Sequence, residues 1–193
     1  MTAIDYQVQE RVGYIWLNRP SVLNAYNIAM RDELHQVLGA VKDDDEVAVL
    51  VLRGRGRAFC AGADLVYFET AFPQPDLLPP YLQRFNDCLF QLEALPVPVI
   101  AVVHGFALAG GLELMLACDM ALAVDDARIG DQHVNFGLMP GGGSTQRLPR
   151  RIGMQRAMEL LTTGRWLSGA EAEAWGLILR AAPADALEGE LEK

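Results

Sequence analysis

Short apolar runs of strand length alternate along this chain with segments of helical periodicity, and this alternation limits the folds that the chain can adopt. Residues 47–52, 99–103 and 120–124 are continuous apolar runs, which is typical of strands buried on both faces. The segments between them repeat their apolar residues at helical spacing. Strands separated by helices favour a parallel sheet with crossover helices. The 193 residues fit one domain with a sizeable core.

The same reading predicts the remaining elements from patterning, caps and breakers. They are two strands joined by a turn near residues 11–13, a helix capped by Asn27 that runs to about Lys42, a short helix from Asp64, a proline-rich breaker at 72–80, helices at 81–95, 110–118, 155–162 and 169–175, a glycine-rich turn at 137–143, and short strands at 127–130 and 177–180.

Charge and composition exclude several classes of function. The net charge of −9 argues against non-specific nucleic-acid binding, which needs a basic surface. No segment approaches the roughly 20 apolar residues of a membrane span, and the first ten residues carry no secretory pattern. Cys60, Cys88 and Cys118 are an odd number without the spacing of a metal site. We therefore expect reduced thiols, no metal and a cytoplasmic location.

Two glycine-containing loops carry the strongest functional signal. Residues 57–64 and 104–113 each follow a buried strand and open a helix. A helix N-terminus has unpaired N–H donors and a partial positive charge, so it can stabilise an oxygen that becomes negative during a reaction. Neither loop has the spacing of a P-loop or of a dinucleotide fingerprint. Taken singly, each could also be a tight turn that packs a strand on a helix.

Four motifs together make the chain resemble the crotonase superfamily of enoyl-CoA hydratases and isomerases. Their order and spacing are kept over residues 8–180. The motifs are Asn18-Arg-Pro with Leu23-Asn-Ala, Ala58-Phe-Cys-Ala-Gly-Ala-Asp-Leu65, Gly105-x4-Gly-Gly-x-Glu113-Leu-x3-Cys-Asp119, and Gly137-Leu-Met-Pro-Gly-Gly-Gly-Ser-Thr-Gln-Arg147.

The resemblance implies an α/β fold over residues 1–193, a spiral of ββα units with two roughly perpendicular sheets surrounded by helices. It implies that the N–H groups of Ala63 and Gly110 form an oxyanion hole for the carbonyl of an acyl-CoA thioester. Coenzyme A would enter as part of the substrate, with no separate cofactor. Its phosphates need a local basic cluster, and Arg53, Arg55 and Arg57 are candidates. The predicted substrate-binding residues are Ala61, Asp64, Leu65, Gly111, Leu138, Pro140 and Arg57.

Glu113 lies three residues after Gly110, and its carboxylate is predicted to be a general base. It would also complement the helix dipole, which is compatible with that role. Hydratases carry a second catalytic glutamate at the position that His133 occupies here. Histidine can act as an acid or a base near neutral pH, so we predict catalytic roles for Glu113 and His133. Asp131 and Asn135 are further polar candidates nearby, ranked behind His133 because Asp and Asn in loops often serve turns.

Three hypotheses stay open on the sequence. The first is a lyase of the enoyl-CoA hydratase type. The second is another reaction that uses the same oxyanion hole: double-bond isomerisation, thioester hydrolysis or decarboxylation. The third is a non-catalytic acyl-CoA binder.

The chain ends at Lys193, part-way into an expected amphipathic helix. Members of the superfamily are longer, with C-terminal helices that cover the active site and help to build a trimer or a dimer of trimers. We expect that segment to be missing or short here, and we expect homo-oligomers that form through the remaining helices.

Overall fold

The computed structural model describes residues 2–71, 74 and 76–193. In these residues the strands are β1 (Ile4–Gln9), β2 (Val12–Leu17), β3 (Val49–Gly54), β4 (Val99–Val103), β5 (Phe106–Leu108), β6 (Met120–Val124), β7 (Arg128–Gly130) and β8 (Arg180–Ala182). The α-helices are α1 (Ile28–Lys42), α2 (Leu65–Ala71), α3 (Leu78–Glu93), α4 (Gly110–Leu116), α5 (Ser144–Ile152), α6 (Met154–Thr163), α7 (Gly169–Ala174) and α8 (Leu187–Leu191). Short 3-10 helices lie at Pro20–Val22 and His133–Phe136.

The strands form a six-stranded sheet in the order β1-β2-β3-β4-β6-β8 and a two-stranded sheet of β5 and β7. Strand β1 pairs antiparallel with β2, and every other pair is parallel. The parallel sheet predicted from the alternation of strands and helices is confirmed. No helix in the described ranges is long and apolar enough to cross a membrane.

Burial explains why the apolar runs become strands in the middle of the sheet. Leu50, Val51 and Leu52 of β3 are buried, and they alternate between two apolar clusters on opposite faces of the sheet. Helix α1 covers one of these clusters with Leu34 and Leu38. The predicted start of this helix is correct. The Asn27 side chain caps the helix by accepting a hydrogen bond from the Met30 N–H at 2.9 Å. The core therefore lies between the sheet and its crossover helices.

The structure departs from the predicted elements at four places. Strand β5 and helix α5 were missed, helix α3 begins before Pro79 and Pro80 instead of after them, and the last strand lies at Arg180–Ala182 rather than at 177–180. Proline is tolerated in the first helical turn, where its missing N–H would have no partner. Of the breaker predicted at 72–80, three residues lie outside the described ranges.

A buried asparagine ties the segment after β2 to the first glycine loop. The Asn24 side chain is fully buried. Its oxygen accepts from the Arg19 N–H at 2.8 Å, and its nitrogen donates to the carbonyls of Arg55 (2.9 Å) and Ala58 (2.7 Å). Its backbone φ of 56° lies in the left-handed region, which asparagine tolerates better than most residues. This side chain explains the Leu23-Asn-Ala motif as a brace for residues 55–58.

We predict that Asn24→Ala lowers the free energy of unfolding by about 2–3 kcal/mol, because it leaves buried backbone groups unpaired. Urea unfolding at pH 7 measures this loss. Asn18→Ala is the matched control, since Asn18 is partly exposed and makes two side-chain hydrogen bonds that water can replace. Equal losses for the two variants would contradict the bracing role of Asn24.

Candidate active site

A single parallel bridge, between Cys60 and Ala107, holds the two glycine loops side by side. The Cys60 N–H donates to the Phe106 carbonyl at 2.9 Å, and the Leu108 N–H donates to the Cys60 carbonyl at 3.1 Å. Contact between the loops is close, because a Cβ placed on Gly111 would lie 2.1 Å from the Cys60 carbonyl oxygen. Only glycine fits at this position. Gly111, which was predicted to bind substrate, lies in this packing contact and is not among the described residues that line the cavity.

The Ala63 N–H is unpaired, because the bridge between Ala63 and Tyr26 does not use it. Ala63 pairs with Tyr26 through the neighbours of Ala63: the Tyr26 N–H donates to the Gly62 carbonyl at 2.7 Å, and the Asp64 N–H donates to the Tyr26 carbonyl at 3.0 Å. In a parallel ladder the residue between two such bonds directs its own N–H to the opposite side. The Ala63 N–H donates to no acceptor in the described part of the chain.

The Gly110 amide is also free, for a different reason. Gly110 is the first residue of α4, and a first-turn N–H has no acceptor within its helix. The two residues lie close together, since a Cβ on Gly110 would be 3.6 Å from the Ala63 nitrogen. The preceding Ala109 has a φ of 48°, which is a strained value for a residue with a side chain. Helix α4 therefore begins directly after a strained residue, and the unpaired N–H of Gly110 lies next to the unpaired N–H of Ala63.

Both amides belong to residues that line a mostly apolar cavity of about 420 Å³. Helices α2 and α3 contribute apolar and aromatic side chains, among them Tyr81 and Phe85. The predicted site residues found in the lining are Ala61, Ala63, Asp64, Leu65, Gly110, Glu113, His133 and Leu138. The lining in the described ranges does not include Gly111, Pro140 or Arg57.

Glu113 lies in the first turn of α4, and its side chain is almost fully buried at the cavity wall. Its Oε1 accepts a hydrogen bond from the Ser144 N–H at 3.1 Å, at the start of the unpredicted helix α5. Burial raises the pKa of the Glu113 carboxyl above its usual value, although the charge of His133 and the N–H groups of Ser144 and Gly142 oppose the rise. A carboxylate with a raised pKa accepts a proton more readily near neutral pH.

His133 lies across from Glu113, with its Nε2 3.8 Å from Glu113 Oε2. Its Nδ1 is 2.9 Å from Asp131 Oδ1. Burial alone would lower the pKa of the imidazole, but the hydrogen bond and charge of Asp131 and the charge of Glu113 outweigh burial and raise it. The structure therefore brings together the two side chains predicted to do acid–base chemistry, in one cavity with the two free amides.

The three predicted arginines have different surroundings. Arg53 forms an ion pair with Glu188. The Nε of Arg55 lies 3.4 Å from Asp5 Oδ2, and the guanidinium of Arg55 lies over the ring of Trp16. Arg57 is exposed and makes no ion pair in the described residues. Arg57 is therefore the member of the set whose charge is open to an anionic ligand.

Two neighbouring polar residues serve the structure of the site. Burial raises the pKa of the Cys60 thiol to about 11, which makes it a poor nucleophile. Asn135 bonds to the Gln132 side chain at 2.9 Å and to the Gly164 carbonyl at 3.2 Å, and so braces the loop against the end of α6.

The sequence profile of the enoyl-CoA hydratase/isomerase family matches residues 7–193. The chain belongs to this family. The relatives that it resembles include a probable enoyl-CoA hydratase, echA8, of Mycobacterium bovis, which is 39% identical over 183 residues. That match covers 92% of this chain and 68% of the relative. Another is the mitochondrial enoyl-CoA hydratase domain-containing protein 2 of Bos taurus, 44% identical over 86% of this chain and 56% of the relative.

Solved structures of the family confirm the predicted crotonase-like fold. The crystal structure of an enoyl-CoA hydratase from Bacillus anthracis matches with a TM-score of 0.93 and 38% identity, over 98% of this chain and 74% of that chain. A Mycobacterium smegmatis enoyl-CoA hydratase matches with a TM-score of 0.94 and 36% identity, over the same shares. This chain is therefore an enzyme of the enoyl-CoA hydratase/isomerase family, with the α/β architecture of its relatives.

The raised pKa of Glu113 predicts that Glu113→Gln does not destabilise the protein at neutral pH and makes it more stable than the wild type. Folding disfavours the ionised carboxyl, so the wild type loses stability as the pH rises through the folded-state pKa of Glu113. Glutamine carries no charge and can keep the hydrogen bond from Ser144. Chemical unfolding between pH 4 and 8 is the measurement, and the advantage of the variant should grow with pH over that range.

The control for this experiment is Glu46→Gln, since Glu46 is exposed. Substitution of an exposed side chain should change the free energy of unfolding by less than about 0.5 kcal/mol. A Glu113→Gln protein that is less stable than the wild type throughout this range would contradict the assignment of Glu113 as a carboxylate disfavoured by burial.

Proposed function

We propose that this chain binds an enoyl-CoA thioester and adds water across its 2,3 double bond, with the negative charge of the thioester enolate held between the N–H groups of Ala63 and Gly110. The observation that carries the proposal is the presence of two unpaired amides and one buried carboxylate on the wall of a single apolar cavity. Donors fixed in a water-poor site stabilise a developing oxyanion far more than water does.

In the proposed reaction, the Glu113 carboxylate takes a proton from a water molecule as the water oxygen bonds to C3 of the enoyl group. The π electrons of the double bond move to the thioester oxygen, which the two amides stabilise. His133 in its protonated form then gives a proton to C2. One water is consumed, and both of its hydrogens are accounted for once the proton on Glu113 passes to His133.

The position of His133 supports this return of the proton. Its Nε2 is 3.8 Å from Glu113 Oε2, so a small shift of either side chain would allow direct transfer. A second acid–base group also favours hydration over isomerisation, because one base is enough to shuttle a proton between two carbons.

We place the coenzyme A part of the substrate along the first glycine loop, with the backbone near Ala61, Ala63 and Leu65 next to it. Leu65 is about half exposed and lies at the rim of the cavity. Arg57 is the proposed phosphate contact, because its charge is not paired within the described residues. The Asp64 carboxylate is engaged within the protein. Its Oδ2 lies 2.8 Å from Arg19 Nη1, and its Oδ1 accepts a hydrogen bond from the Val66 N–H at 3.1 Å. No cofactor besides the coenzyme A carried by the substrate is needed.

We also propose self-association, because α6 exposes the side chains of Met154 and Met158 and the edge of the cavity exposes Phe136 and Met139. Exposed apolar groups of this kind often mark contacts between subunits. A trimeric or hexameric state and a cytoplasmic location stay predictions from the sequence.

The proposal predicts that the purified protein removes the absorbance of the conjugated thioester when it is mixed with crotonyl-CoA or longer enoyl-CoAs. A shifted double bond, or release of free coenzyme A, would instead indicate isomerisation or hydrolysis. Binding without any turnover would indicate an acyl-CoA binder.

Ala63→Pro should lower the rate by about 100–1,000-fold, because it removes one oxyanion donor.

Ala63→Gly is the matched control for this rate. It keeps the N–H, and neither variant removes a bond of the Tyr26 bridge, which uses the Gly62 carbonyl and the Asp64 N–H. Circular dichroism and thermal unfolding check that both variants fold. Equal rates for folded Ala63→Pro and Ala63→Gly would rule out the oxyanion role of Ala63.

A further inference from the structure

The Asp131 carboxylate is a buried group that the proposed reaction does not use. Its side chain is 0% exposed, and it lies just before the 3-10 helix that carries His133. It is not part of the described cavity lining, so it does not meet a substrate directly. A charged group removed from water needs compensation, and an uncompensated one is costly.

One oxygen of Asp131 is well occupied, and the other is not. Oδ1 accepts from the backbone N–H of His133 at 3.1 Å and lies 2.9 Å from the Nδ1 of its ring. Oδ2 is buried without a hydrogen-bond partner in the described residues. A turn alone would be served as well by asparagine, which keeps the accepting oxygen and avoids a buried charge. The use of a carboxylate here therefore points to a need for its charge.

We propose that Asp131 is the positioning residue of the site: its carboxylate keeps the proton on Nδ1 of His133 and turns Nε2 towards Glu113 and the cavity. This inference rests on the proposed function for its role in turnover, but its effect on His133 is a property of the free protein. A third group that orients an acid–base side chain is a recurring arrangement in enzyme sites.

The chain of contacts is continuous. Asp131 Oδ1 meets Nδ1, and on the far side of the ring Nε2 faces Glu113 Oε2 at 3.8 Å. Asp131, from the same loop, and Glu113, from helix α4, are the charged groups that act on His133 in the described part of the chain. Both favour the imidazolium, which is the form that donates a proton to the substrate in the proposed reaction. With Nδ1–H committed to Asp131, the proton that can be given and regained is the one on Nε2.

The test follows the ring nitrogens of His133 by ¹⁵N NMR as a function of pH, in protein without substrate. The chain has three histidines, so His35→Gln and His104→Gln assign the signals. In the wild type, the neutral ring should carry its proton on Nδ1, and its titration midpoint should lie above that of a histidine in a free peptide. Asp131→Asn should move the midpoint to lower pH, since it removes the charge. Asp131→Ala should in addition release the tautomer preference.

Turnover gives a second readout that a merely structural residue would not move. The alkaline limb of the kcat/KM profile for enoyl-CoA should shift to lower pH in Asp131→Asn, with a loss of about tenfold or more near neutral pH and little change in KM. Asp126→Asn removes an exposed charge a few residues away and should leave both the midpoint and the pH profile unchanged.

The two proposals fail in distinguishable ways. A wild-type midpoint and tautomer in folded Asp131→Asn would overturn the positioning role, whatever the rate of turnover. If Asp131→Ala does not fold, the titration midpoint in Asp131→Asn, which is nearly the same shape, still tests whether the Asp131 carboxylate acts on His133. A shifted midpoint in a protein that turns over no enoyl-CoA would support the positioning of His133 and refute the hydratase function.

Discussion

The closeness of two unpaired backbone amides, those of Ala63 and Gly110, depends on the two single bridges that join the first glycine loop to its neighbours. One joins Cys60 to Ala107, and the other joins Ala63 to Tyr26. The first sets the two loops side by side, and the second uses the flanking groups of Ala63 and so leaves its own N–H free. A longer ladder would have paired more of these groups within the protein. The unpaired N–H of Ala63 is therefore available because the β-ladder at this loop is only one bridge long.

The surroundings of the carboxylate show a balance between burial and support. Glu113 is almost fully buried, which disfavours its charge, yet it faces His133 and accepts a hydrogen bond at the start of α5. Burial raises the pKa of the Glu113 carboxyl and makes it more basic, while His133 and the N–H group of Ser144 favour its ionised form. Apolar residues of α2 and α3 line the cavity next to this carboxylate, and charge interactions are stronger beside apolar groups than in water.

Much of the scaffold could be predicted from the sequence, because buried parallel strands are marked by continuous apolar runs. The start of α1 was predicted from its asparagine cap, which the structure contains. Helix α5 was missed because glycines precede it, Pro149 lies inside it and it carries few apolar residues. Strand β5 is three residues long between loops, which is too short to show a period.

The site was predictable in its loops and less so in its contacts. Ala63, Gly110, Glu113 and His133 were assigned from the resemblance of the motifs to the crotonase superfamily, and they share one cavity. The support that Ser144 gives to Glu113 came from a helix that had not been predicted. Asp131, the partner of His133, was only a secondary polar candidate on the sequence. A sequence does not show which oxygen of Asp131 meets the ring or that the other stays unpaired.

The most direct test of the oxyanion assignment is a crystal structure of the protein with an acyl-CoA thioester that it cannot turn over. We predict that the thioester carbonyl oxygen lies about 2.7–3.1 Å from both the Ala63 and the Gly110 nitrogen atoms. A bound thioester whose carbonyl oxygen meets neither amide would contradict it.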